Sequence, residues 1–281
     1  MTDGRSLRLL TAADLELLRA VSGGAEAPAA DPSRLEVALG SPAVYRALFG
    51  SRERDPLLVA SPFLVFSVLV SRVARELEDA TFVEEWLGSR TVPVFDVAGL
   101  RDFLAAPADR AFLAELLASY TKVASGTVWQ RTARRWRRRR YSELDPVRLA
   151  ELLEVVPHAQ RAAVCRRLGD LALFLSGVFP EHAASHPLEP RHVERIRRLL
   201  DAAGPGGPAE APDELVATGA PLRGLWLLEW LGRRAYGLAG RIAGADELRD
   251  VAAGFGRARR VLNVLTRRHL YPARERWFPL R

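Results

Sequence analysis

The chain has 281 residues, 48% hydrophobic and 27% charged, with a formal net charge of +7. This much apolar content excludes a disordered chain, and the length suits one large domain or two moderate ones. The one cysteine, Cys165, excludes an internal disulfide and fits a reducing cytoplasm.

The charge is uneven. Residues 1–128 balance at −4, residues 129–140 at +7, residues 141–256 at −3 and residues 257–281 at +7. The positive charge is therefore two patches on a mildly acidic protein. Lysine occurs once, at Lys122, and the other 40 basic residues are arginine. That bias points to the codon usage of a GC-rich, bacterial genome, so arginine need not have been selected for its guanidinium geometry.

The first residues, Met1 to Ser6, are polar and do not read as a signal peptide. A capping-box pattern, Thr11-Ala-Ala-Asp14, predicts a helix over 11–21. Gly23–Ala30 reads as a linker. Capping residues followed by proline then recur at Asp31-Pro32, Ser41-Pro42, Ser61-Pro62 and Asp145-Pro146. In each pair the side-chain oxygen takes a free backbone N–H, and proline fits the first turn because its missing N–H costs nothing there. Ala106-Pro107 and Glu189-Pro190 are weaker versions.

These starts predict helices over 31–39, 41–49, 61–80, 96–105, 107–122, 145–156, 158–179 and 190–203. Others are expected over 212–218, 221–243 and 246–270. Gly40 and Gly50 stand where C-terminal caps belong. Leu171–Leu175 and Phe63–Val70 are apolar on every side, so both helices are expected to be buried all round. The longest apolar run, Leu57–Val70, is broken by Ser61-Pro62 and is shorter than the ~20 residues of a membrane span. No transmembrane segment is expected.

Strand signals are few. Val92-Pro-Val-Phe95 is at most an edge strand. Residues 127–141 fit a β-hairpin, rich in valine, threonine, tryptophan and tyrosine. A helix with Trp129, Ala133 and Trp136 on one face is the alternative. Ser125-Gly126 before the segment, and the helix restart at Ser142–Pro146 after it, favour the hairpin. The expected fold is all-α: a globular bundle of about ten to twelve helices with one small β-hairpin. Residues 1–203 would form a body that includes the hairpin. Beyond a Gly/Pro-rich linker at Ala202–Pro212, residues 212–281 would form a C-terminal helical pair packed on it.

The hairpin segment carries the strongest functional signal. Arg131, Arg134, Arg135, Arg137, Arg138, Arg139 and Arg140 share it with Trp129, Trp136 and Tyr141. Arginine neutralises phosphate and tryptophan stacks on bases, so an anionic partner is implied: nucleic acid, anionic lipid headgroups or an acidic protein face. Aromatics packed on the core are the competing account. A hairpin would divide the arginines between two faces. The second patch holds Arg257, Arg259, Arg260, Arg267, Arg268, Arg274 and Arg276. Within it Arg259, Arg260 and Arg267 are anion-binding candidates, on a helix with Val261, Leu265 and His269 on its other side. An amphipathic helix with cations suited to its dipole is the plainer reading.

His182, His186 and His192, with Glu189, are candidate ligands for zinc, iron or haem. Pro187 and Pro190 break helical spacing there, so a loop is expected. An acidic cluster, Glu76, Glu78, Asp79, Glu84 and Glu85, could coordinate a cation or receive an arginine patch of the same or another chain. Asp170, at the head of a buried segment, is expected in an ion pair. Cys165 reads as a packing residue.

No P-loop, Gly-x-Ser-x-Gly elbow or His-Glu-x-x-His occurs, and Gly254-Phe-Gly256 sits inside a helix rather than after a strand. The first functional expectation is a non-enzymatic cytoplasmic binding or scaffold protein engaging an anionic partner. The alternative is a helical metal- or haem-dependent enzyme using residues 182–192. A helical enzyme on an isoprenoid or phosphorylated substrate comes last, for want of aspartate-rich motifs. No particular cofactor is implied, and self-association as a homo-oligomer stays open.

Overall fold

The structure, a computed structural model, describes residues 5–22, 31–51, 54–88, 90–123, 125–131, 136–186, 188–204, 222–271 and 273–278. It is 77% helical, as the sequence predicts. Helices α1 (Arg5–Leu9), α2 (Ala12–Ser22), α3 (Pro32–Leu39), α4 (Pro42–Phe49) and α5 (Pro62–Glu78) come first. Strands β1 (Val83–Leu87) and β2 (Arg90–Val94), helices α6 (Val97–Ala105) and α7 (Pro107–Tyr120), and strands β3 (Ser125–Arg131) and β4 (Trp136–Ser142) follow. Then come α8 (Pro146–Ala150), α9 (Arg161–Val178), α10 (Pro180–Ser185), α11 (Pro190–Ala203), α12 (Arg223–Ala243), α13 (Asp246–Leu265) and α14 (Arg274–Trp277). The predicted helix over 212–218, the Gly23–Ala30 linker and most of Ala202–Pro212 lie outside the described residues.

The four cap-proline starts form as read. Asp31 accepts from Ser33 N–H, Ser41 from Ala43, Ser61 from Leu64, and Asp145 from both Val147 and Arg148. Neither Ala106 nor Glu189 makes a side-chain cap. The capping box is reciprocal: Thr11 N–H donates to Asp14 at 2.8 Å and Asp14 N–H to Thr11 Oγ1 at 3.2 Å. Asp14 also accepts from Ser61 N–H at 2.8 Å, so one buried carboxylate anchors the starts of α2 and α5.

Two compact units divide the chain. One holds residues 1–83, 93–122 and 264–279; the other holds residues 84–92, 123–263 and 280–281. In the first unit α5 is the central element, with Phe63–Ser71 all buried. It packs on α7, α6, α4 and α3. Phe66 stacks on Phe278 with ring centroids 5.6 Å apart and meets Trp277 edge-on at 5.9 Å. Trp277 in turn donates its indole N–H to Asp55. Arg101 reaches the carbonyls of Leu77 and Ala80, supplying donors and a cation where α5 ends.

In the second unit α9 packs chiefly on α12. Every residue of α9 from Leu168 to Val178 is buried, as the apolar run predicts. Glycine allows close approach here. A Cβ at Gly169 would lie 2.7 Å from the Tyr236 ring, and one at Gly232 would lie 2.1 Å from Phe255. Tyr236 donates its hydroxyl to Asp170 at 2.8 Å, and Arg166 stands 4.0 Å from the same carboxylate. The expected ion pair at Asp170 is present.

Two strand pairs occur rather than one. β1 and β2 are joined through Gly88, which adopts a φ of 68° that suits glycine. Val92-Pro-Val therefore lies in a two-stranded ribbon, in which each strand is an edge, as its proline predicts. β3 and β4 form the antiparallel hairpin predicted over 127–141, in place of the helical alternative.

Candidate anion-binding interface

The hairpin register is defined along its length. Thr127 pairs with Arg140, Val128 with Arg139, Trp129 with Arg138, Gln130 with Arg137 and Arg131 with Trp136. Cross-strand partners share a face and successive residues alternate. Positions 127, 129, 131, 136, 138 and 140 therefore lie on one face, and 128, 130, 137 and 139 on the other. Arg134 and Arg135, which the sequence also nominated, lie outside the described residues.

The second patch is largely neutralised within the chain. Arg259 is only 3% exposed, not on an outward arginine face as its helical spacing suggested. Its Nη1 lies 2.6 Å from Glu85 on β1, and its Nε lies 3.3 Å from Glu229 on α12. The Glu85 contact is a close ion pair rather than an aligned hydrogen bond. Arg260 reaches the same Glu85 at 3.3 Å, and Arg233 reaches Glu229 at 2.9 Å. Five charges of alternating sign thus join β1, α12 and α13. Burying Arg259 is tolerable because two carboxylates surround it.

Asn263, fully buried, holds the same strand to α13. It accepts from Trp86 N–H at 2.6 Å and donates to Trp86 C=O at 3.0 Å. Beside this network Leu87, Leu222, Leu225 and Trp226 line a shallow recess with Glu229 and Arg259 at its polar side. Trp226 is 43% exposed there.

In the other unit, Glu76 accepts from Arg72 at 2.8 Å and Arg268 at 3.1 Å, and lies 3.3 Å from His269 Nε2. Burial pushes the Glu76 carboxyl up, but His269 and the two arginines outweigh it and hold it below the usual range. Burial pushes His269 down, against the pull of Glu76. Arg276 pairs with Asp55, and Arg267 lies half-buried one residue before Arg268. The acidic cluster does receive arginines of its own chain at Glu76 and Glu85. The helix ends in a π turn over Thr266–Leu270 that sequence spacing did not signal.

The histidines are not gathered for a metal. His182 lies in α10, a short helix where a loop was expected, and its ring stacks on His186 at 4.5 Å. His186 hydrogen-bonds Ser185, and His192 sits in the first turn of α11. Among the described residues no group of three or more His, Cys, Asp or Glu is placed to hold a metal ion. Burial, then the neighbouring His186, pushes His182 below its ordinary value. Cys165 is buried and its thiol is pushed up to about 12, so it stays protonated, which argues against a nucleophile. No helix among the described residues is long and apolar enough to cross a membrane.

No protein-family model matches the chain, and neither does any curated protein or solved structure.

Proposed function

We propose that this is a non-enzymatic cytoplasmic binding or scaffold protein that engages an anionic partner through the β3–β4 ribbon. The observation that supports this reading is the density of arginine in the ribbon segment. In the C-terminal patch Arg259, Arg260, Arg268 and Arg276 each meet a carboxylate of the chain. The ribbon segment 129–140 contains seven arginines and no acidic residue. A positive element on a mildly acidic body attracts polyanions and orients them.

The test is retention on immobilised heparin. With Arg137, Arg138, Arg139 and Arg140 all changed to Gln, elution should move to clearly lower salt while the helical circular dichroism is unchanged. Unchanged retention contradicts the proposal.

A further inference from the structure

We infer that one face of the β3–β4 ribbon takes single-stranded nucleic acid, an inference that rests on the ribbon being the anion-binding element. The register decides which residues share that face. Trp129 lies opposite Arg138, and Arg131 lies opposite Trp136. Along the strands Trp129 is followed two residues on by Arg131, and Trp136 by Arg138 and then Arg140. Each tryptophan position therefore has an arginine position beside it both along and across the ribbon. The two tryptophan positions are diagonal neighbours, roughly 7–8 Å apart.

This pattern suits a ligand that presents a ring and a phosphate at every step. Unpaired bases have free π faces that stack on tryptophan with little sequence preference, while arginine neutralises the backbone. A duplex keeps its bases stacked internally and gains nothing from the tryptophans. An acidic protein face would use the arginines and leave the rings without a role. The opposite face sets Gly126, Val128 and Gln130 against Tyr141, Arg139 and Arg137, so it has one ring position and no tryptophan.

The experiment uses the full chain and fluorescein-labelled dT20, with a 20-base-pair duplex, poly-glutamate and heparin as comparisons. Wild-type protein should bind dT20 at least about tenfold more tightly than the duplex. Trp129→Leu and Trp136→Leu should each weaken dT20 binding about tenfold, with heparin retention kept. Arg138→Gln with Arg140→Gln should reduce the slope of log affinity against log salt by about 1.4. Arg137→Gln with Arg139→Gln should weaken dT20 binding less. If a leucine variant unfolds by circular dichroism, Trp129→Val with Trp136→Val replaces it, keeping strand formers without a ring, and should weaken dT20 binding by at least about tenfold. The inference is overturned if poly-glutamate or duplex is preferred, or if intact tryptophan variants bind dT20 unchanged. Heparin retention that persists in that case leaves the anionic-partner reading standing. Retention indifferent to the arginine changes removes both.

Discussion

Arg259 Nη1 lies 2.6 Å from Glu85 Oε1, and the two side chains are 4% and 5% exposed. The pair joins β1 to α13 across more than 170 residues of sequence, and Glu229 gives the guanidinium a second anion on α12. Removing one member of such a pair strands the other in a poorly solvated site. Arg259→Ala should destabilise the protein by about 3–5 kcal/mol in urea unfolding. A loss under about 0.5 kcal/mol, the size of a surface change, would show that the pair has no structural role.

Asn263 acts on the same strand without charge. Asn263→Ala removes both partners of the Trp86 backbone and should cost about 1–3 kcal/mol. The local readout is hydrogen exchange, in which the Trp86 amide should lose protection ahead of the interior of α9. Equal protection in variant and wild type would contradict the assignment.

At Gly232 a methyl group would meet Phe255 at 2.1 Å, closer than any packed core allows. Gly232→Ala should destabilise by about 1–3 kcal/mol through overpacking. Adding Phe255→Leu should return part of that loss. Losses that simply add would mean that the two positions do not collide.

The His269–Glu76 site sets a pH dependence. His269 has its affinity for protons lowered by burial, so below its ordinary value of 6.5 the unfolded chain binds the proton first. Stability should therefore fall as pH drops from about 6.5 toward the lower folded value. His182, also lowered, contributes with the same sign. Glu76, held low by His269, Arg268 and Arg72 despite burial, adds stability above its ordinary value of 4.5 that is lost on further acidification. His269→Gln should flatten the upper part of the profile and reduce, without abolishing, the lower part, because Arg268 and Arg72 still hold Glu76 low. Urea midpoints between pH 4 and 8 measure this, and an unchanged slope near pH 6 would contradict it.

Local chemistry made much of the fold legible. The cap-proline pairs at 31, 41, 61 and 145 marked true helix starts because capping needs only neighbouring residues. The all-round apolar runs at Phe63–Val70 and Leu171–Leu175 marked the buried helices. The hairpin over 127–141 was readable from strand formers flanked by breakers. What could not be read is non-local. Nothing in the spacing of Arg259 shows that Glu85 and Glu229 take its charge, so it looked like a surface cation. The acidic cluster offered the matching half, and reception of arginines from the same chain was one of its readings. The α10 helix was missed because Pro187 argued for a loop, although Pro180 starts the helix and it ends before Pro187.

The central claim is that the ribbon, not the C-terminal arginines, engages an anionic partner. Two double variants with equal charge loss compare them directly: Arg138→Gln with Arg140→Gln, and Arg257→Gln with Arg276→Gln. The measurement is the salt concentration at which each elutes from heparin. The ribbon variant should elute well below wild type and the C-terminal variant close to it. Equal shifts, or a larger shift for the C-terminal variant, would contradict the account.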